Sequence, residues 1–204
     1  MSIKELFEIL LDDKPSAILR ERKEELFDLI PELRSCDKFD QHSTWHPYDV
    51  LEHIFHVVDN VDPIIELRLA ALFHDIAKPE TFELDDKGRG HFRDHGEKSV
   101  RIFNRFADKN KISKKQINII ARLIRYHDDY LYDPRKADKL KCAFTKNEIE
   151  LLYEIQKADL LAQSKEFHYL LEDYEKGKEK ILSKYERGNN NEYHIWFMWS
   201  NNKR

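Results

Sequence analysis

Residues 67–77 read LRLAALFHDIA, and this short stretch decides the fold class of the chain. It is the most apolar helix-forming run in the sequence, and Pro79 ends it soon afterwards. A helix of this composition should lie at the centre of a globular core. His74 and Asp75 therefore stand where an unpaired polar group would be strongly unfavourable, so they need a specific partner.

Apolar residues recur at helical spacing on both sides of this stretch, and we predict an all-α protein. Thr44, Ser113 and Thr145 are suitable N-caps, and Glu148 completes a capping box with Thr145. Short loops separate the segments, with a possible hairpin in the loop at 80–93. The predicted helices cover about 3–11, 16–30, 44–60, 64–77, 94–108, 113–128, 145–163 and 164–187, and 34–46 and 129–143 are predicted loops.

The whole chain, 1–204, is predicted to be one domain. Its core would cover about 45–165, preceded by N-terminal helices at 1–44 and followed by a C-terminal helix and an aromatic tail at 166–204. The tail contains Tyr193, Trp196, Phe197 and Trp199.

Composition restricts the function classes. The 204 residues include 35 basic and 39 acidic side chains. The resulting net charge of −4 argues against a DNA-binding surface or extensive electrostatic binding of nucleic acid. Two cysteines make no disulfide framework, and only five glycines favour helices over sandwiches or barrels. No run is apolar enough for a membrane span or a signal peptide, so we expect a cytoplasmic protein.

Ten histidines are the unusual feature of the composition, and several of them stand on apolar helix faces. His127 continues the stripe of Ile120 and Ile124, and Asp159 shares a helix face with Ile155. His53 lies in another apolar helix, and His95 lies near a helix start. Imidazoles and carboxylates buried on five helices suggest a shared centre, and without thiolates they suit Mn, Fe, Co, Ni or Zn better than Mg or Ca.

The order His53, His74-Asp75, Asp159 resembles the H…HD…D signature of HD-domain metal-dependent phosphohydrolases. The resemblance implies a helical HD-domain bundle in which these four residues bind one metal ion. His95 and His127 fall where many members place two further ligands, which implies a second ion bridged by Asp75. Lys78 completes the HDxxK variant of the motif.

A closer likeness concerns three segments: LIPELRSCDKFDQHSTWHPYDVLEHIFHVVDN, LRLAALFHDIAKPETF and GHFRDHGEKS. They resemble the C-terminal half of bacterial tRNA nucleotidyltransferases that contain an HD domain. The sequence lacks the Gly-Ser motif with paired aspartates that a nucleotidyltransferase head needs, so we do not expect CCA addition. The resemblance implies phosphatase or 2′,3′-cyclic phosphodiesterase activity on a nucleotide or an RNA end.

The expected mechanism is attack on phosphorus by a hydroxide that the metal ions activate and bridge. Asp75 would bridge the two ions, and Lys78 would stabilise the charge that develops on the phosphoryl oxygens. His91, Arg93 and Lys98 are candidates for binding the substrate phosphate or protonating the leaving oxygen. The sequence does not rank these three residues.

Two other functions fit parts of the pattern. Some HD-fold proteins use the same six ligands as di-iron oxygenases, and a detached accessory domain could bind RNA without catalysis. Lys78 and the nucleotidyltransferase likeness favour phosphate chemistry over oxygen activation, and a purely binding module has no need of buried carboxylates. Four further histidines, at positions 42, 46, 168 and 194, are expected on the surface.

Overall fold

The computed structural model describes residues 1–187, with side chains to residue 185. Eleven α-helices and a two-stranded hairpin occur in this range, which confirms the all-α class. In chain order they are α1 Ile3–Leu10, α2 Pro15–Glu21, α3 Lys23–Leu29, α4 Val50–Asn60, α5 Ile65–Phe73, α6 Lys78–Thr81, β1 Phe82–Leu84, β2 Gly90–Phe92, α7 His95–Lys109, α8 Lys114–Tyr126, α9 Ala137–Ala143, α10 Lys146–Leu161 and α11 Leu171–Arg187. Short 3₁₀ helices cover Pro31–Cys36 and Lys165–Leu170.

Helix α5 lies at the centre of the bundle, as its composition predicts. Every residue from Leu67 to Phe73 is buried, and α4, α7, α8 and α10 pack around the helix. The buried Arg68 is stabilised because its guanidinium donates to the carbonyl oxygens of Val58 and Asp62. The end of α5 is therefore held in the core, and the residues that follow it are positioned there as well.

Three local expectations from the sequence are wrong. Helix α4 begins at Val50 rather than near 44, because Asp49 and not Thr44 accepts the capping hydrogen bond, from the Glu52 N–H. The predicted helix over 16–30 divides at Arg22 into α2 and α3. The predicted loop at 129–143 contains α9.

Other local expectations are confirmed. Ser113 caps α8, and Thr145 and Glu148 form the capping box of α10. The loop after α6 forms a hairpin in which Phe82 pairs with Phe92. Gly90 on this hairpin donates its N–H to the carbonyl oxygen of His42, and a Cβ there would overlap the carbonyl oxygen of Gln41.

Within residues 1–187, none of the helices has the length and apolar character that crossing a membrane requires. The predicted aromatic tail, with Tyr193, Trp196, Phe197 and Trp199, and His194 lie outside the described residues.

Candidate metal centre

The first cluster at the centre of the bundle joins His53, His74 and Asp159, whose candidate ligand atoms lie within 4.8 Å of one another. His53 lies in the middle of α4, His74 follows the last residue of α5, and Asp159 lies near the end of α10. The Nε2 atom of His53 is 3.4 Å from Nε2 of His74 and 3.0 Å from Oδ1 of Asp159. All three residues are buried, as the apolar faces around them predict.

The second cluster joins Asp75, His95 and His127 within the same span. His95 is the first residue of α7, and His127 follows the last residue of α8. Their Nε2 atoms lie 3.1 Å apart. Oδ1 of Asp75 is 3.1 Å from Nε2 of His95 and 3.6 Å from Nε2 of His127.

Asp75 connects the two clusters. Its other oxygen, Oδ2, is 3.4 Å from Nε2 of His53 and 3.2 Å from Nε2 of His74. One carboxylate therefore presents one oxygen to each histidine pair. The structure brings together all six residues that the sequence marks as candidate ligands, in two groups that could each hold a metal ion.

Three of the four imidazoles are oriented by the backbone. The Nδ1 atoms of His74, His95 and His127 each lie 2.7–2.8 Å from a carbonyl oxygen three residues earlier in the chain, at Ala71, Phe92 and Ile124. Because a carbonyl oxygen only accepts, Nδ1 carries the proton in each ring. In the neutral ring Nε2 then presents a lone pair to the cluster, as a metal-binding imidazole requires.

Charges within the site shift the pKa values of its members. Burial alone would raise the pKa of Asp75, but the nearby charges of His74 and Lys78 hold it well below its usual range. Burial alone would lower the pKa of His127, but the nearby carboxylates of Asp128 and Asp75 outweigh it and raise the pKa to about 10. The carboxylates of this pocket therefore favour a bound cation.

The donor set fits a divalent transition metal. With both rings neutral, His95 and His127 bring two Nε2 lone pairs to 3.1 Å from each other, so either a proton or a metal cation must lie between them. Oδ1 of Asp75 faces both nitrogens, is buried, and has no hydrogen-bond partner among the described residues. Imidazole and carboxylate donors without thiolates suit Mn, Fe, Co, Ni or Zn.

Both clusters open onto one cavity of about 240 Å³. Asp159 of the first cluster and His95 and His127 of the second contribute to its wall, together with the shared Asp75. The wall also includes, outside the clusters, His46, Lys78, His91, Asp128, Tyr130 and Gln163. Four of the six candidate ligands, those at positions 75, 95, 127 and 159, are thus buried in the bundle yet face this cavity.

Lys78 places a positive charge on the wall of this cavity. Its ammonium lies 2.7 Å from Oδ2 of Asp75 and donates to Oε1 of Gln41 at 2.8 Å. The side chain is only 7% exposed. A buried ammonium held by two acceptors is fixed in position, which is what stabilisation of a developing negative charge needs.

The structure places only one of the three predicted substrate-binding residues at the cavity. His91 on β2 lines the cavity, is about half exposed, and has Nε2 3.1 Å from Oδ2 of Asp85. Arg93 and Lys98 are not part of the described lining, and the Lys98 ammonium donates to the carbonyl oxygen of Glu80. Of the three, His91 is therefore the residue that the fold places next to the clusters.

The expectation that His46 lies on the surface is wrong. Its ring packs edge-on against His53, with centroids 4.8 Å apart, and it lines the cavity. Burial lowers its pKa to about 2, so the ring is neutral at physiological pH. His168 is half buried, with Nε2 3.3 Å from the carbonyl oxygen of Gln163.

Three further polar residues support the site and were not identified from the sequence. Gln41 holds Lys78. Gln156, on α10, donates to the carbonyl oxygens of Tyr126 and Asp129 and accepts from the N–H of Leu131, so it fixes the loop that follows His127. Asp128 lies in that loop, with its carboxylate at the cavity. Isolated amides and loop carboxylates have no periodicity. Of the three residues only Gln156 lies on a helix with an apolar face, where its burial could have been recognised.

Comparison with known proteins gives two findings. The HD domain family matches residues 45–162 of the chain. Among curated proteins, the chain is similar to the CC-adding tRNA nucleotidyltransferase of Thermus thermophilus, with 39% identity over 74 residues, 36% of this chain and 17% of that protein. It is also similar to the A-adding tRNA nucleotidyltransferase of Deinococcus radiodurans, with 31% identity over 109 residues, 50% of this chain and 25% of that protein. The matched part thus spans a quarter or less of the length of either relative.

Proposed function

Because this chain belongs to the HD domain family, we propose that it is a metal-dependent phosphohydrolase. Its substrate would be a phosphomonoester or a cyclic phosphodiester of a nucleotide or an RNA end. The observation that supports this most strongly is the pair of His/Asp clusters that share Asp75 beside one solvent-accessible cavity.

Each cluster would hold one divalent ion. The first ion would be held by His53, His74, Asp75 and Asp159, and the second by Asp75, His95 and His127. Bound ions supply Lewis acidity, which polarises a phosphoryl oxygen and makes a neighbouring water a stronger nucleophile at neutral pH. The carbonyl oxygens of Ala71, Phe92 and Ile124 keep three of the rings in the required tautomer.

The chain's own residues around the clusters would act on the phosphoryl group and the leaving group. Lys78 would place its ammonium on an equatorial phosphoryl oxygen as negative charge develops there. His91, at the cavity wall, would donate a proton to the departing oxygen, because its ring is half exposed; since Nε2 is paired with Oδ2 of Asp85, the donor would be Nδ1.

Cavity size and charge support a small phosphorylated end as the substrate. A cavity of about 240 Å³ is smaller than the ~300–1,000 Å³ of pockets that enclose a whole drug-sized ligand. A phosphoryl group and part of a ribose would enter, while the rest of the molecule stays outside. The net charge of −4 also argues against a long nucleic-acid surface. The two relatives are named for tRNA nucleotide addition, which makes an RNA end a reasonable substrate to test first.

The test is a metal analysis followed by a substrate screen. We would purify the protein, quantify its metals, and measure phosphate release from nucleoside monophosphates, 2′,3′-cyclic nucleotides and RNA with a 2′,3′-cyclic end, with Mn²⁺, Co²⁺ or Ni²⁺ added. Asp75→Ala should abolish metal-stimulated hydrolysis, because this residue contributes to both clusters.

The control is Asp138→Ala, which removes the same charge from a side chain that is 89% exposed on α9. It should retain wild-type activity. Equal activity in the wild type and in Asp75→Ala would contradict the proposal, as would hydrolysis that does not respond to metal. Oxygen uptake without phosphate release by an iron-loaded protein would favour the di-iron oxygenase instead.

A further inference from the structure

We propose that Asp128 is a direct ligand of the ion in the second cluster. This inference rests on the proposed function, because it adds a residue to the same metal site. Asp128 follows His127 in the loop after α8, and both of its carboxylate oxygens point to the cluster. Oδ1 is 3.5 Å from Nε2 of His127, and Oδ2 is 3.4 Å from Nε2 of His95.

Contacts around Asp128 hold it in this position. The hydroxyl of Tyr130 donates to Oδ1 at 3.4 Å. Gln156 fixes the backbone of the same loop through Asp129 and Leu131, at 3.0 and 3.1 Å. The carboxylate therefore reaches the imidazole nitrogens from a loop that is restrained at several points, rather than from a freely moving segment.

A second observation indicates that these groups surround a cation. Asp75 is buried, and its Oδ1 faces the same two nitrogens without a hydrogen-bond partner among the described residues. In their neutral form both rings present a lone pair at Nε2, since Nδ1 donates to the carbonyl oxygens of Phe92 and Ile124. Two lone pairs and two carboxylates around one point repel one another unless positive charge, from a proton or a metal ion, lies between them, and this donor set suits a divalent transition metal.

Asp128 also makes the two clusters equivalent. The first cluster has two imidazoles, the shared Asp75 and a terminal carboxylate, Asp159. With Asp128, the second cluster has two imidazoles, the shared Asp75 and a terminal carboxylate of its own. The difference is exposure: the Asp159 side chain is 6% exposed and that of Asp128 is 50% exposed. The second ion should therefore exchange with solvent more readily than the first.

The test is metal loading of the full chain, read without any activity assay. After the metal is removed with a chelator, Co²⁺ is added stepwise, visible absorption reports its coordination, and bound metal is quantified after dialysis. Wild type should bind two equivalents. Asp128→Ala should keep the first and bind the second at least tenfold more weakly, since even residues that only orient ligands change affinity by ~10–100-fold.

Asp128→His distinguishes ligation from a general charge effect. An imidazole can bind the ion, so this variant should recover the second equivalent with an altered absorption spectrum, although it lacks the negative charge. Asp138→Ala, a charge-matched control, should load like wild type. Circular dichroism of each chelated variant checks that the fold is retained.

Several results would overturn the proposal. One is an affinity for the second Co²⁺ ion that Asp128→Ala leaves unchanged. Another is an affinity for this ion that is equally low in Asp128→Ala and Asp128→His. A third is an affinity for this ion that Asp138→Ala lowers as much as Asp128→Ala does. A wild type that binds one ion and still hydrolyses a phosphate ester would overturn this proposal and leave the proposed function intact. If the wild type binds two Co²⁺ ions, Asp128→Ala weakens the second, and no phosphate ester is hydrolysed, Asp128 is supported as a ligand and the proposed function is contradicted.

Discussion

At the scale of single residues, Lys78 provides a test of catalysis that leaves the candidate ligands in place. We expect Lys78→Met to lower kcat about 100-fold, because loss of one fixed group that stabilises developing charge typically costs ~10²–10³. Metal content should remain that of the wild type. The measurement is steady-state hydrolysis of the best substrate from the screen, together with metal analysis.

The control for this prediction is Lys98→Met on α7. Its ammonium donates to the carbonyl oxygen of Glu80, outside the cavity wall, so the variant should hydrolyse the substrate at nearly the wild-type rate. A comparable loss in both variants would show that Lys78 has no special position, and would support the sequence-based prediction that Lys98 binds substrate.

Gln156 is predicted to stabilise the site rather than take part in chemistry. Gln156→Leu leaves the buried N–H of Leu131 and the carbonyl oxygens of Tyr126 and Asp129 without their partner. Because each of these three groups costs ~1–3 kcal/mol, the free energy of unfolding should fall by at least about 3 kcal/mol. Urea denaturation measures it, and Asn118→Leu, an exposed amide on α8, should change it little.

Sequence alone predicts the residues whose chemistry conflicts with an apolar face, and misses those that work from loops. His74, Asp75, His127 and Asp159 interrupt apolar stripes, so their burial could be inferred. His46 and Asp128 lie in segments without periodicity, where a polar residue is ordinary. Their positions depend on which helices meet at the cavity, and that is a property of the folded chain.

At the scale of elements, two glycines make opposite predictions about helix packing. A Cβ on Gly177 in α11 would come within 2.6 Å of the backbone of Leu131 and Tyr132, whereas one on Gly96 in α7 would be 3.4 Å from its nearest neighbours. Gly177→Ala should therefore lower stability by roughly 1–3 kcal/mol. Gly96→Ala should be neutral or stabilising, because alanine favours helix by ~1 kcal/mol. Thermal unfolding of both variants measures the two changes in stability. Equal changes in Gly177→Ala and Gly96→Ala would contradict the close packing at Gly177.

Glu148 connects the capping box of α10 to Arg122 on α8. Burial alone would raise its pKa, but hydrogen bonds from Arg122 and from the Thr145 backbone lower it below its usual value. A carboxyl whose pKa is depressed on folding stabilises the protein above its unfolded pKa of ~4.3, and this contribution is lost as pH falls through the folded value.

We therefore expect Glu148→Gln to lower the free energy of unfolding by about 1–2 kcal/mol at pH 7, and by much less at pH 3. Urea titrations of both proteins at the two pH values measure the difference. Glu172→Gln, on an exposed pair with Lys176, is the control and should show a smaller effect at both. A difference independent of pH would show that the charge of Glu148 does not contribute.

Strongly periodic helices were predictable, while short ones were not. Helix α9 is polar, and only Ala137 and Leu140 of its residues are buried, so two apolar positions gave too little pattern to identify it. Asp49 replaced Thr44 as the cap of α4 because both are good capping residues and only the packing of α4 decides between them. The capping box of α10 was predictable, since Thr145 and Glu148 have a fixed spacing.

At the scale of the whole molecule, metal should stabilise the fold. An ion that binds only the folded state at 100 times its Kd adds ~2.7 kcal/mol, and for a chain of this size that raises Tm by roughly 5–10 °C. Calorimetry of the chelated protein, before and after addition of Mn²⁺ or Co²⁺, measures the shift. Mg²⁺ should give a smaller one, because imidazole donors suit it poorly. No shift with any of these ions would contradict the metal sites.

The two clusters are also assembled from parts of the chain that are made at different times. Asp75, His95 and His127 precede α10 in the sequence, whereas His53 must wait for Asp159, about a hundred positions later. During synthesis, the second cluster is therefore complete in sequence before the first. Contacts over such distances form slowly, because the long intervening loop must close first. Metal cannot direct the folding of this chain from a short local segment, as it does in a zinc finger, and loading should follow folding of the bundle.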